Sequence, residues 1–335
     1  MRVGIVGTGA IAQKHALVYR NLGFPIVACT NTTASRGTEF AQSHGAEFVP
    51  SVEELCRHPD VDFVDVCTLP HFRLPVLEHC ARSGKHVLVE KPMAIDLGTA
   101  ARMTELAASG GIQLGVISQH RFDDSFLFLK RAIDAGRLGK LLHANAYVKW
   151  WRSDEYYSRP VKGSWAGEGG GVLINQAIHQ VDLLLHLAGP VDQVAAMWQI
   201  GAVHAIESED SLQALVRFAS GATGVIEAST ACWPGYPERI EIHGTNGTAI
   251  VTGDVLTTWD VRQDFGEPPS LGKQASSGMA DPMAISTLPF ERQIKDFVDA
   301  CKQGRRPLCS GQDAYRTLEL VRKIYDSSRS NDLHL

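Results

Sequence analysis

The opening dozen residues constrain this chain more than any other stretch. Val3-Gly4-Ile5-Val6 is a short apolar run, and Gly7-Thr8-Gly9-Ala10-Ile11-Ala12 follows it directly, leading into a helix-like segment from Ile11 to Leu22. A strand, a glycine turn and a helix in that order predict a right-handed βαβ crossover and therefore a parallel sheet. The first third repeats the alternation. Strand-like Ile26 to Cys29, Phe63 to Cys67, His86 to Val89 and Ile112 to Val116 are separated by helix-like Ala34 to His44, Leu74 to Ser83 and Leu97 to Ser109. An α/β Rossmann domain with a doubly wound parallel sheet is expected over residues 1–121.

Inside the turn, Gly7 permits the tight bend and Gly9 removes the side chain that would keep the backbone away from a pyrophosphate. Ala12 lets the helix pack close to the sheet. The first-turn N–H groups, at Ala10 and Ile11, complement phosphate charge. A dinucleotide site follows from that context. At the end of the second strand, where a carboxylate ordinarily accepts from the ribose 2'-hydroxyl, this chain has Cys29-Thr30-Asn31-Thr32-Thr33. A neutral patch does not repel a 2'-phosphate, and Arg36 is near enough in sequence to bind one, so the reading leans to NADP. The other reading is NAD, with Asn31 bonding the ribose hydroxyls.

After Phe122 the pattern changes. A helix from Phe126 to Ala135 precedes a strand from Leu142 to Trp150, a loop holding Tyr156, Tyr157 and Trp165, and one helix from Leu173 to Leu187. Five strand-like runs then follow, Val194 to Ile200, Ser211 to Phe218, Thr223 to Ser229, Arg239 to His243 and Ala249 to Thr252. Ala219-Ser220-Gly221 and Gly244-Thr245-Asn246-Gly247 are hairpin-type connections between them. Residues 122–335 are expected to form an α+β domain with an open, mainly antiparallel sheet that serves substrate binding and oligomerisation. Asp264 to Met283, rich in Gly, Pro and Ser, reads as a surface loop. Helices from Phe290 to Gln303 and Gln312 to Ser328 close the chain and are expected to pack back toward the first domain.

Composition narrows the function classes. With 335 residues, 44% of them hydrophobic, the chain is long enough for two cores. Its 32 Lys and Arg face 37 Asp and Glu, a formal charge of -5 with no long like-charge block, so nucleic acid and membrane surfaces are not expected partners. Seven cysteines without a CxxC predict reduced, packed thiols. Met1-Arg2 leads straight into the first strand, too short and Gly-rich for a signal-peptide core, and no apolar stretch approaches the roughly 20 residues a bilayer needs. A cytoplasmic location is expected.

Two further stretches carry a resemblance. Val87-Leu88-Val89-Glu90-Lys91-Pro92 ends a strand, and Gly169-Gly170-Gly171-Val172-Leu173-Ile174-Asn175-Gln176-Ala177-Ile178-His179-Gln180-Val181-Asp182 leads into a helix. With the opening GTGAIA, Thr68-Leu69-Pro70-His71, Ile240 to Gly247 and the region from Arg305-Arg306-Pro307 to Tyr325, they resemble the Gfo/Idh/MocA oxidoreductases, the glucose-fructose oxidoreductase and inositol dehydrogenase family. The resemblance spans essentially the whole chain. It implies that Lys91 sits between nicotinamide and substrate and that His179 transfers the proton. Chemically, His titrates near working pH, and a lysine ammonium stabilises a developing alkoxide.

The resemblance further implies cofactor contacts from Thr32, Thr68, Leu69, His71, Glu90 and Gln119, beside Gly7, Gly9, Ala10, Ile11, Asn31 and Arg36. It implies substrate contacts from Lys91, Arg121, Asn175 and His179, and the aromatic and charged loop from Trp150-Trp151-Arg152 to Trp165 reads as the floor of a sugar pocket, with Trp151, Trp165 and Tyr157, or Tyr156 in its place, toward the substrate. Asn175 departs from the Asp that many members carry; an amide cannot stabilise an imidazolium by charge. This Asn-Gln form resembles the subgroup acting on glycosides and sugar nucleotides, such as the sugar-nucleotide 3-dehydrogenases. His179, Asp182 and His186 share a helical face at i, i+3 and i+7, but no metal is expected. The expected reaction is hydride transfer between NAD or NADP and a secondary hydroxyl of a sugar, glycoside or cyclic polyol, by a homodimer or homotetramer. A glycosidase that oxidises its substrate transiently with NAD, and a non-catalytic dinucleotide or sugar sensor, are the competing readings.

Overall fold

The computed structural model describes residues 1–266, 268, 269 and 286–330, with side chains of the last helix as far as residue 327. The loop expected from Asp264 to Met283 falls largely outside the described residues. In chain order the elements begin β1 (Val3–Val6), α1 (Ala10–Leu22), β2 (Ile26–Thr30), α2 (Ala34–His44), β3 (Glu47–Phe48), α3 (Val52–Arg57) and β4 (Phe63–Val66). They continue with α4 (Arg73–Arg82), β5 (His86–Val89), α5 (Leu97–Ser109), β6 (Leu114–Val116), α6 (Asp124–Asp134) and β7 (Leu141–Lys149). Four short or medium helices follow, α7 (Asp154–Tyr157), α8 (Trp165–Glu168), α9 (Val172–Asn175) and α10 (Ile178–Ala188). The strands β8 (Val191–Ile200), β9 (Glu209–Phe218), β10 (Thr223–Ser229), β11 (Arg239–Gly244), β12 (Gly247–Thr252) and β13 (Val255–Val261) precede α11 (Leu288–Gln303) and α12 (Gly311–Ser330).

The chain divides into two compact units. One comprises Met1–Gln119 with Ser286–Arg316, the other the described residues of His120–Ile285 and Thr317–Leu335. In the first, six strands lie in the order β3-β2-β1-β4-β5-β6, every pairing parallel. This is the Rossmann order. β1 and β4 are buried at every position, as strands covered on both faces must be, which is why they read as unbroken apolar runs. Asp65, fully buried in β4, is the exception. Val3, Ile5, Tyr19 and Phe63 share a core with Phe290, Ile294, Phe297 and Val298 of α11, so this unit is completed by a helix from the far end of the chain.

Among the described residues, the second unit holds seven strands ordered β13-β12-β11-β7-β10-β9-β8. All pairings are antiparallel except β7 with β10, where Glu227 lies opposite Tyr147 in a parallel register. Along β9, buried Leu212, Ala214, Val216 and Phe218 alternate with exposed Gln213, Leu215 and Arg217, a strand with one covered and one open face. β13, which adds an edge to this sheet, was not among the expected strands. The single helix expected from Leu173 to Leu187 is instead two. Ala177 N–H bonds the Val172 carbonyl five residues back, a widened turn that ends α9 at Asn175 and restarts the helix at Ile178.

Candidate active site

At the start of the Rossmann unit Gly7 has φ +88, and a Cβ there would press on the Cys67 carbonyl and Thr68 Cγ2, each 3.0 Å away. A Cβ at Gly9 would meet nothing within 4 Å. Gly9 is the N-cap of α1, no side chain caps that turn, and the turn holds no acid. A bare helix terminus behind an open glycine suits a pyrophosphate, which the N–H groups of Ala10 and Ile11 would face.

The ends of β1, β2 and β4 bring several expected cofactor residues together. Asn31 donates through Nδ2 to Thr8 Oγ1 and accepts through Oδ1 from the Thr33 N–H at 3.0 Å and the Thr32 hydroxyl at 3.4 Å. Its amide is thus already bonded. Arg36 is exposed in the first turn of α2, and its carbonyl accepts from Thr8 at 3.5 Å. Leu69 and His71 are exposed beyond β4, while Thr68 Oγ1 and Gln119 Oε1 are buried with no hydrogen-bond partner among the described residues.

Lys91 follows β5 and is half-buried. The segment around it is clamped. Arg73, buried on α4, donates to the carbonyls of Glu90 and Pro92 and to that of Thr68, and Glu90 Oε2 accepts the Lys91 N–H at 3.0 Å. Burial brings Arg73 down to about 10, with Glu90, Cys67 and Asp65 working the other way.

In the second unit, the carboxylate of Glu209 builds the loop that leads to Asn175 and His179. It accepts the N–H of Gly171 at 2.8 Å, that of Leu173 at 2.9 Å and the Tyr325 hydroxyl at 2.8 Å. Burial raises the Glu209 carboxyl above its usual range, the N–H donors only partly offsetting it. Asn175 Nδ2 reaches back to the carbonyls of Gly170 and Gly171, at 3.1 and 3.2 Å. His179 stands in the first turn of α10, its ring edge-on to His120 at 5.0 Å between centroids. Burial opposes charge on His120, but Asp123, 2.8 Å from Nδ1, holds it above the ordinary imidazole range.

Other expected substrate residues are variously engaged. Both nitrogens Nε and Nη2 of Arg121 donate to Asp182, at 2.7 and 2.6 Å, and Thr317 donates to the same carboxylate. The Asp182 carboxylate is thus engaged by Arg121 and Thr317. Among the described residues the one trio of potential ligand atoms within 4.8 Å is His15, Asp65 and Cys67. Tyr157 is bonded to Thr230 at 2.7 Å, whereas the Tyr156 hydroxyl accepts from Gln176 at 3.0 Å beneath Arg152, Arg159 and Lys162. Trp151 packs on His204 and Trp233, but Trp165 turns to Trp198 and Tyr325 and does not join them. Sequence reasoning missed Glu209, Lys162 and the partners of Glu90. It missed Asp65 too, the partner of His15, for which a charged residue inside a strand as apolar as Phe63 to Cys67 was the available signal.

A family model described as an oxidoreductase family with an NAD-binding Rossmann fold matches residues 1–118, and the GFO/IDH/MocA C-terminal domain matches residues 126–250. The chain belongs to the Gfo/Idh/MocA oxidoreductases. Among relatives of this Gfo/Idh/MocA protein, myo-inositol 2-dehydrogenase of Thermotoga maritima is 28% identical, over 98% of both chains. A 1,5-anhydro-D-fructose reductase of Ensifer adhaerens is 29% identical, over 95% of this chain and 93% of its own. A solved structure of the WlbA dehydrogenase from Bordetella pertussis, in complex with NADH and UDP-GlcNAcA, superposes with a TM-score of 0.88 at 26% identity. It covers 98% of this chain and 95% of that one. No helix among the described residues is long and apolar enough to cross a membrane.

Proposed function

We propose that this oxidoreductase transfers hydride between a secondary hydroxyl of a sugar, glycoside or cyclic polyol and a nicotinamide, with Lys91 and His179 as its catalytic residues. The observation that carries the reading is the placement of Lys91. It is clamped just past the carboxyl end of β5, in the same sheet whose β1 turn bears Gly7 and Gly9, and open parallel sheets bind ligands outside those strand ends. The named activities of the inositol, anhydrofructose and WlbA relatives support the substrate class. The bound nicotinamide supplies the hydride acceptor or donor. Lys91 Nζ stabilises the charge that grows on the reacting oxygen, and the His179 imidazole takes or returns the hydroxyl proton. Lys91→Ala and His179→Ala are expected to lower kcat about 10²-fold or more with the productive sugar of a panel. Undiminished turnover in both would overturn these roles.

The cofactor preference leans to NADP. No carboxylate stands at the end of β2 to repel a 2'-phosphate, and exposed Arg36 is there to meet one. Tighter fluorescence titration by NADPH than NADH is expected, with Asn31→Asp reversing the order. NADH binding more tightly to the unchanged protein counts against the lean. Self-association to a dimer or tetramer through the open face of the second sheet, and a cytoplasmic setting in keeping with seven cysteines in the thiol form, complete the proposal.

A further inference from the structure

Behind the clamped lysine lies a buried polar network that the proposed chemistry does not use. His15 projects from α1 and is fully buried. Its Nδ1 lies 2.8 Å from Asp65 Oδ2, and its Nε2 lies 3.1 Å from Glu90 Oε1. Tyr19, one turn further along α1, donates to the same Asp65 oxygen at 2.7 Å. Both ring nitrogens of His15 therefore face carboxylate oxygens, and only the imidazolium can donate to both at once.

Every group around the ring fits that state. Asp65 and Cys67 face it from the β4 side, Glu90 from beyond β5, Tyr19 from its own helix, and the ring of Phe290 from α11 at 5.6 Å. Burial alone would strip the proton, but Asp65 and then Cys67 hold His15 well above the ordinary imidazole range. With buried Arg73, the four groups His15, Asp65, Glu90 and Arg73 balance two positive charges against two negative ones. Such a set survives burial only when each member is paired.

We propose that His15 is a positioning residue for Lys91, holding Glu90 in place as an imidazolium so that the Glu90-Lys91-Pro92 backbone keeps one geometry. Glu90 is the hinge of the idea. One of its oxygens takes His15 and the other takes the Lys91 N–H, so turning the carboxylate releases both. Arg73 fixes the flanking carbonyls, and the Lys91 N–H goes to Glu90. Because α1 is also the helix whose bare first turn suits phosphate, one side chain ties that helix to the lysine segment.

The inference rests on the catalytic reading of Lys91, and its test separates the two. His15→Gln, which cannot donate from both ends and carries no charge, is expected to lower kcat about 10²-fold while the sugar KM and the dinucleotide Kd move less than about threefold. The pH profile of that variant should acquire a new step, since Glu90 loses the His15 hydrogen bond and charge that, against burial, hold its carboxyl below the usual range. Tyr19→Phe, which touches Asp65 and not Glu90, should keep kcat within about twofold. Unchanged kcat in His15→Gln, or a joint decline of kcat, KM and Kd in both variants, would overturn positioning in favour of a merely structural role. Should His15→Gln fail to fold, imidazole nitrogen-15 NMR of the unchanged protein decides. A His15 that stays charged through pH 8 supports the proposal, and a neutral ring at pH 7 overturns it. If Lys91→Ala proves fully active, the catalytic reading fails by itself. The acylation rate of Lys91 relative to Lys85, compared between the unchanged protein and His15→Gln by mass spectrometry, still reports whether His15 holds the segment: a changed ratio supports positioning and an equal one overturns it.

Discussion

At Gly171 a Cβ would overlap the carbonyl oxygen of Glu209, and at Gly170, where φ is +150, it would strike the Tyr325 hydroxyl. Neither neighbour is a flexible side-chain end, for one is β9 backbone and the other is pinned to Glu209. Gly171→Ala is therefore expected to cost about 3 kcal/mol of unfolding free energy in urea titrations. A variant as stable as the parent would show that the loop has room. His186 carries a pH dependence of definite sign. Burial, followed by the nearby Arg121, brings it down to about 4, with Asp182 opposing. The unfolded chain takes up this proton near pH 6.5 and the folded one does not, so stability is intact above about pH 7 and falls toward pH 4. Allowing for the partial exposure of the ring, the loss amounts to about 2 kcal/mol, and His186→Gln should remove that part of the slope between urea titrations at pH 4.5 and 7.5. An unaltered slope would mean another group is responsible. Single residues were unevenly readable from sequence. Gly7 declares itself because its left-handed turn is a local backbone demand. The different hydrogen-bond partners of Tyr156 and Tyr157 do not, because Gln176 and Thr230 lie 20 and 73 residues along the chain from them.

Among elements, the parallel strands were readable because burial on both faces removes any need for polar residues, whereas β13, with the sequence VLTTWDV, alternates too weakly to stand out. The widened turn between α9 and α10 left no trace in hydrophobic spacing. The head of α9 is also held from outside, by a carboxylate on β9 that gathers the N–H groups of Gly171 and Leu173. Glu209→Gln replaces one acceptor oxygen with a donor facing those N–H groups. A loss of about 1–3 kcal/mol is expected, with faster amide exchange at Gly171 and Leu173 than elsewhere in the unit. Uniform exchange across the unit would mean that Glu209 supports the fold in general and not this loop.

For the molecule as a whole, the second sheet keeps one face free of helices among the described residues. Across it Ala195 pairs with Leu215 and Leu215 with Val225, an apolar row in which Leu215 is 64% exposed. Water makes such a row costly unless a second copy covers it. Leu215→Arg is expected to shift the mass seen by light scattering toward the monomer, and an unchanged mass would place association elsewhere. The Rossmann unit has a different liability, which concerns the order in which its parts are made. Phe290, Ile294, Phe297 and Val298 fill its core, yet they leave the ribosome only after residues 120–285 have been added. At about 5–20 residues per second, the nascent sheet waits about 10–30 s with a greasy socket open to solvent. Stalled nascent chains ending before residue 286 should accordingly be cut by protease within the first 119 residues, and chains long enough to expose residue 316 should resist. Until α11 arrives, the half-made unit is a natural client for a chaperone.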